Sequence, residues 1–526
     1  VPPTPEPRDG APPGVVGLLL ALAGGLVTEA AFPSRSVWAL APLGVALLLL
    51  ALRGAGSARA LLFGTAWGAA FFFPHLWWAE EAAGAVPWVA LAGAESLFVG
   101  GFALAWVWAR RAPLVRTRRW AAVVAVAALW VAVEQLRSAV PFGGFPWGIL
   151  AFSQTEGPLL RLAALGGSPL VSGTVVVLGA LVAIALVHLR DLRVGRGAGA
   201  LVVAALLVGV SALVPLPTRA EAGTLRVGAV QGNVPGPGLD AFAVRRDVLE
   251  RHVEGTLALL DEVAPGELDL VVWPENAADI DPRVDVEAAR LVEEAAQAVD
   301  APILVGTIRY ENDLRYNDVV LWEPGVGAVE VYTKQHPAPF GEYIPMREFA
   351  SNFTDAVDLV TTDMAAGEET GAIPLTSERL DRVVQLAVAI CFEVAYDSLV
   401  RDAVLAGGEV LVVPTNNASF GYTQESTQQL AMSVLRAVEH GRATLQISTV
   451  GVSGMIAPNG VITDTGGLFT AEQFVVDVPL RTSLTLADRL GPGPAIVAGV
   501  VAVLTVLGGV ASTVSARRAR QGRSSR

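Results

Sequence analysis

Apolar and polar positions divide this chain unevenly. Seven apolar stretches precede residue 220, at roughly 14–31, 36–52, 60–78, 87–109, 120–136, 168–188 and 199–216, and an eighth lies at about 494–513. Most approach the ~20 residues needed to cross a bilayer's hydrocarbon core, so the pattern predicts about eight transmembrane helices. Further spans follow the first directly, which makes it a span and not a cleavable signal peptide. Between the seventh and eighth stretches the period changes. Strand-like runs appear near 224–234, 268–273, 302–309, 316–323, 328–333, 383–391 and 409–414, with helical patterns near 242–263, 284–299, 396–406 and 425–440, then β-rich sequence to about 479. Strands alternating with helices over about 260 residues predict a layered α/β domain. The expected organisation is a disordered Pro-rich start (1–13), a seven-helix membrane domain (14–220), an inserted α/β domain (221–490), a last span (491–514) and a basic tail (515–526).

Charge sharpens this division. Residues 1–220 carry 15 Arg against 9 acidic residues, net +6, whereas 221–490 carry 17 basic against 41 acidic, net −24. An acidic inserted domain lacks the basic footprint that nucleic acid requires. Arg53 and Arg59, then Arg110 to Arg119, then Arg190 to Arg196, fall in alternate loops, and five more Arg close the chain. By the positive-inside rule both termini are cytoplasmic and 221–490 is extracytoplasmic. The hydrophobic share is 53% with only 7% aromatic. The excess is small and aliphatic, which fits close-packed membrane helices and also a GC-rich genome, so composition alone does not decide.

Three clusters sit just past apolar strand runs, where side chains of open α/β sheets project into ligand crevices. They are Val271-Val272-Trp273-Pro274-Glu275-Asn276, then Thr333-Lys334-Gln335-His336-Pro337 with Phe340-Gly341-Glu342-Tyr343 behind it, and Ala389-Ile390-Cys391-Phe392-Glu393. Singly, each has an ordinary reading: a solvated glutamate, a surface lysine, a cysteine buried as a small hydrophobe. Two scarcities bear on them. Cys391 is the only cysteine, which excludes an intrachain disulfide, and Lys334 is the only lysine beside 36 Arg. A stray lysine can arise by chance, but a compact point charge is also what Arg cannot imitate. Together the three supply base, cation and nucleophile, the parts acyl transfer needs.

The order Glu275 … Lys334 … Cys391, spaced by 59 and 57 residues, resembles the nitrilase superfamily. Fusion to seven preceding spans and one following span is similar to apolipoprotein N-acyltransferases. So are Glu134-Gln135-Leu136-Arg137 followed by Gly144-Phe145-Pro146-Trp147, and Val230-Gln231-Gly232-Asn233-Val234-Pro235. The resemblance implies an α-β-β-α sandwich, with Glu275 as general base, Lys334 as oxyanion stabiliser and Cys391 as nucleophile. Glu342 and Glu393 would support the triad, and the Phe392 backbone N–H would line the oxyanion hole, although the family often has Tyr there. Where the family's substrate loop often carries Trp, this chain reads Gly238-Leu239-Asp240-Ala241-Phe242, so Leu239 or Phe242 would supply the apolar contact. The implied reaction needs no metal or nucleotide. It moves an acyl chain from a phospholipid to the α-amine of a diacylated lipoprotein through a cysteine thioester. In actinobacterial relatives this domain type is linked to a polyprenol-phosphate mannose synthase, a partner this chain could share. Two other readings stay open: a membrane-tethered amidase using the same triad, and a non-enzymatic assembly subunit.

Carboxylates at membrane depth are costly and point to function by default. Glu29 and Glu134 fall near predicted span ends, with Arg137 available as a partner, and read as structural; Glu95 lies inside the fourth span without an evident role. Trp77, Trp78 and Trp147 read as interfacial anchors, and Trp147 also as the border of a lipid entry path.

Overall fold

The structure, a computed structural model, describes residues 14–234 and 246–524. The first 13 residues, and the segment expected to present Leu239 and Phe242, lie outside the described residues. Among the described residues, five helices are long and apolar enough to cross a membrane: Ala85–Ala109, Arg119–Arg137, Pro158–Arg190, Val194–Ala212 and Gly493–Ala516. The first three expected spans fold as Gly14–Glu29, Leu40–Ala51 and Ser57–His75. The first two have 16 and 12 residues, about 24 and 18 Å of helix, short of the ~30 Å hydrocarbon core. They pack through small residues: Gly44 meets Thr28 and Gly24, and Trp67 Nε1 donates to Gly44 O at 3.1 Å. The last helix continues to Ser524, into the basic segment.

The inserted domain contains the strands β1 (Thr224–Gln231), β2 (Leu270–Val272), β3 (Ile303–Glu311), β4 (Leu314–Glu323), β5 (Gly327–Thr333), β6 (Ala372–Ser377), β7 (Arg382–Val388), β8 (Val410–Thr415), β9 (Thr444–Ser448), β10 (Gly454–Ile456), β11 (Ile462–Thr465) and β12 (Glu472–Pro479). They form two six-stranded sheets, ordered β12-β1-β2-β3-β4-β5 and β11-β10-β9-β8-β7-β6. The sheets face each other through Leu225, Val227, Val272, Leu304, Leu386, Val412 and Ile447. Helices Asp247–Ala258 and Val286–Val299 cover the first sheet's outer face, packing Leu249, Val292 and Ala296 against Val230, Trp273 and Ile303. The second helix starts at Asp285, whose carboxylate caps Ala288 N–H.

Helices Asp397–Leu405 and Glu425–His440 cover the second sheet, completing an α-β-β-α sandwich. Their apolar core is continuous with that of the membrane-type helices, joining Leu411, Val413 and Leu435 to Trp67, Trp147 and Val175. Helix Glu425–His440 is therefore buried at every residue but Thr427. Two strand readings change. β6 pairs antiparallel with β7 and was not expected, since Pro374 interrupts its pattern; as an edge strand it tolerates a missing N–H. The strand expected to run through Cys391 ends at Val388.

Candidate active site

Each of the three clusters enters the site from the end of a strand. β2 ends at Val272, and Trp273-Pro274 carries the chain to Glu275, 3% exposed. β5 ends at Thr333, and Lys334, 1% exposed, follows. Beyond β7 the chain turns sharply, and Cys391 takes φ +55°, a left-handed conformation that is strained for a residue with a Cβ. That turn opens the short 3-10 helix Cys391–Ala395. Phe392 N–H lies in its first turn, where N–H groups have no intrahelical partner. The thiol is half-buried.

Lys334 Nζ donates to Glu275 Oε1 at 3.2 Å and to Glu342 Oε1 at 2.7 Å. Burial pushes this ammonium toward neutrality, but the charges of Glu275 and Glu342 outweigh it and hold the pKa well above the ordinary lysine value. Asn317 Nδ2 gives Glu275 Oε1 a second donor at 2.5 Å, and Glu342 Oε2 accepts from Ala338 N–H at 2.6 Å. For Cys391, burial pushes the thiol well up; Glu275 adds to the rise and Lys334 opposes it. The resting thiol is thus neutral, and forming a thiolate there needs a base.

Glu393 does not reach this charge cluster. It is fully buried and accepts from the backbone N–H groups of Gln335, His336 and Ile390 at 2.6, 3.1 and 2.7 Å, and from Tyr332 OH at 3.0 Å. It fastens the Cys391 turn to the chain that follows Lys334. Burial raises its carboxyl to about 7, against the lowering effect of Lys334 and those backbone donors.

Phe392 stacks on rings from the membrane-type region: Phe145 at 5.7 Å and Trp147 at 6.1 Å between centroids. The anchor reading of Trp147 is thereby corrected. The residue is 2% exposed, and its indole N–H donates to Gln428 Oε1 at 2.6 Å instead of facing a water–lipid boundary. Trp78 is likewise buried and reaches the same oxygen at 3.2 Å, while Trp77 is exposed as an anchor would be. Tyr396 OH donates to Gly144 O at 3.0 Å. Gly144 has φ +81°, and a Cβ there would fall 2.1 Å from the Ser138 carbonyl carbon, so only glycine makes this turn.

The carboxylates at membrane depth also find partners. Arg137 Nη1 lies 3.1 Å from Glu95 Oε2 and 2.9 and 2.7 Å from the carbonyl oxygens of Phe145 and Trp147. Glu95 thus acquires a role, as counter-charge for the cation that holds the aromatic loop. Arg137 was one partner available to Glu134. Glu134 accepts instead from Trp130 Nε1 and Leu150 N–H, and Glu29 pairs with Arg35. The residues missed from sequence are Asn317, Tyr332, Thr415, Asn417, Glu425, Gln428 and Gln429. Tyr332 adjoins the Lys334 cluster but carried no signal of its own, and each of the others is a lone polar residue within a strand, a loop or a helix, with no box around it. Among the described residues, no cluster of His, Cys, Asp and Glu could hold a metal.

Comparison with known proteins adds the family. Residues 24–181 match the apolipoprotein N-acyltransferase N-terminal domain and residues 226–485 match the carbon-nitrogen hydrolase family. An apolipoprotein N-acyltransferase of Mycolicibacterium smegmatis is 38% identical over 94% of this chain and 84% of its own length. One of Pseudomonas paraeruginosa is 32% identical over 86% and 87%. Among solved structures, an amidase from Nesterenkonia sp. aligns over 50% of this chain and 94% of its own at 16% identity, with a TM-score of 0.36. With both halves matched and the similarity running through nearly its whole length, this chain belongs to the apolipoprotein N-acyltransferase family.

Proposed function

We propose that the protein transfers an acyl chain from a phospholipid to the α-amine of a diacylglyceryl-cysteine lipoprotein, by a ping-pong route through Cys391. Acyl transfer in lipoprotein maturation is the family's function, and a bacterial inner membrane its place. The observation that carries the specific reading is the convergence of Glu275, Lys334 and the strained Cys391 turn beside an aromatic loop of the helical region. Glu275 takes the thiol proton, and the thiolate attacks the donor's ester carbonyl. Lys334 and Phe392 N–H hold the tetrahedral oxyanion. The C–O bond breaks, the lysophospholipid oxygen leaves with the proton from Glu275, and a thioester remains. The acceptor amine then attacks, giving its proton to Glu275. The C–S bond breaks, and the sulfur recovers the proton as the amide forms.

On this reading residues 14–220 and 491–514 form the membrane domain, with Gly14–Glu29, Leu40–Ala51 and Ser57–His75 completing a bundle of eight. Both termini are cytoplasmic and 221–490 is extracytoplasmic. The helical region then brings two lipid substrates to Cys391 without a passage through water. Incubation with phospholipid and no acceptor should load one hydroxylamine-labile acyl group onto Cys391, absent in Cys391→Ser and Glu275→Gln. A diacylated lipopeptide should discharge it. Failure of folded protein to form this adduct, with fast hydrolysis of small amides instead, would replace acyl transfer with an amidase.

A further inference from the structure

Two adjacent glutamines in helix Glu425–His440 have different partners. Gln428 binds the membrane-type region: besides the two indole N–H groups on Oε1, its Nε2 donates to His75 O at 3.0 Å. Gln429, fully buried, serves the thiol: its Nε2 lies 3.5 Å from Cys391 Sγ. Its Oε1 accepts from Thr415 Oγ1 at 2.8 Å and from Asn417 Nδ2 at 2.9 Å. Asn417 is held in turn, with Nδ2 also donating to Glu425 Oε2 at 2.7 Å and Oδ1 accepting from Ser448 Oγ at 2.7 Å. An amide nitrogen has two donors and an amide oxygen none. With Asn417 directing its N–H groups at the Glu425 and Gln429 oxygens, Gln429 is left presenting its own N–H to sulfur.

We propose that Gln429 is a further catalytic residue of the acyl transfer, its side-chain N–H stabilising the Cys391 thiolate, with Asn417 and Glu425 as the positioning residues that aim it. The proposal rests on Cys391 being the nucleophile. Burial and the Glu275 charge both disfavour a charged sulfur, and the Lys334 ammonium is already engaged by two carboxylates. A donor aimed at sulfur favours the charged form at the moment Glu275 takes the proton. The thioester sulfur is neutral and a poorer acceptor. The bond is therefore stronger around attack and collapse than in the acyl-enzyme, which is the condition for accelerating the reaction.

Because Cys391 is the sole thiol, the state of the sulfur can be read directly. Iodoacetamide alkylation of the full-length protein in detergent is measured across pH for the unsubstituted chain, Gln429→Met and Gln429→Leu. The two variants keep apolar bulk and remove the donor, and the second carries the test if the first does not fold. Near neutral pH alkylation should slow roughly tenfold to a hundredfold, the range for losing a hydrogen bond to a charged group, and the profile should move to higher pH. A purely structural defect would change the amount of folded protein and leave the profile's position unmoved. Superimposable profiles in a folded variant overturn the assignment. Absence of an acyl adduct in the unsubstituted protein overturns the nucleophile reading instead, and the alkylation profile still decides whether Gln429 acts on the sulfur.

Discussion

Two of the cations that the chain buries beside carboxylates, Arg137 in the helical region and Lys334 in the sheet domain, are satisfied differently. Arg137 contacts one carboxylate, Glu95, and two backbone carbonyls that cannot turn away. The Lys334 ammonium contacts two glutamate side chains and, among the described residues, no backbone carbonyl accepts from it. A guanidinium held by main chain is a pin: it fixes the 145–147 loop against the rings around Phe392. An ammonium on a flexible stem between rotatable carboxylates is a point charge that can follow an oxygen as it becomes an oxyanion. The contrast explains why a chain with 36 Arg has a use for one Lys at this position.

The largest expected effect breaks the pin. Glu95→Gln takes away the carboxylate paired with buried Arg137 and should cost about 3–5 kcal/mol of stability, measured by denaturant unfolding in detergent; an unchanged midpoint would mean that Arg137 pins nothing. The point charge is tested by Lys334→Arg, which should fold normally yet lose roughly 10²–10³ in turnover, as when an oxyanion donor is removed. Near-normal activity there would make the two cations equivalent and the lone lysine an accident.

Glu425 sharpens the contrast through pH. Burial raises its carboxyl from 4.5 to about 8, with Asn417 opposing and Glu275 adding to the rise. Below pH 4.5 folded and unfolded chains both hold this proton; between there and about 8 only the folded chain does. Stability should therefore fall as pH rises through that window. Glu425→Gln should flatten the corresponding part of the melting-temperature profile, and an identical slope would show that Glu425 does not titrate there. The smallest effect is expected for Trp147→Phe, which keeps the stacking on Phe392 but loses the bond to Gln428. It should cost about 1 kcal/mol, with turnover changed only severalfold; a loss as large as that of Lys334→Arg would place the loop inside the chemistry.

What could be read from sequence followed from how local each signal is. Strand-end boxes such as Trp273-Pro274-Glu275 carry their context with them, so the residues that meet at the site were identifiable before the fold was known. Alternation and helical periodicity located most elements of the sandwich, and the apolar runs located the helices. Several of the failures share one cause, burial between two regions. A tryptophan at a bilayer boundary and one packed against a second domain have the same neighbours in sequence, so Trp147 read as an anchor. Glu425, Gln428 and Gln429 look like the solvated side of an amphipathic helix, because nothing local signals that both faces of Glu425–His440 are covered. The turn at Cys391 was invisible for a different reason: the apolar run continues to Ile390, while the strand stops at Val388.

The pairing of β1 with β12 has a consequence for biosynthesis. Thr224 lies opposite Pro479 and Gln231 opposite Glu472, so the domain's first strand is flanked on one side by its last. Until the ribosome has delivered the chain as far as Pro479, β1 presents an open row of backbone donors and acceptors, which invites pairing with any other extended chain. A contact so distant in sequence also forms late, after the cost of closing a long loop has been met. The domain therefore passes through a stage when most of its strands exist and its first sheet is incomplete, with only the preceding membrane helices to tether it. Premature termination before β12 should accordingly produce aggregation and degradation, not a weakly active enzyme.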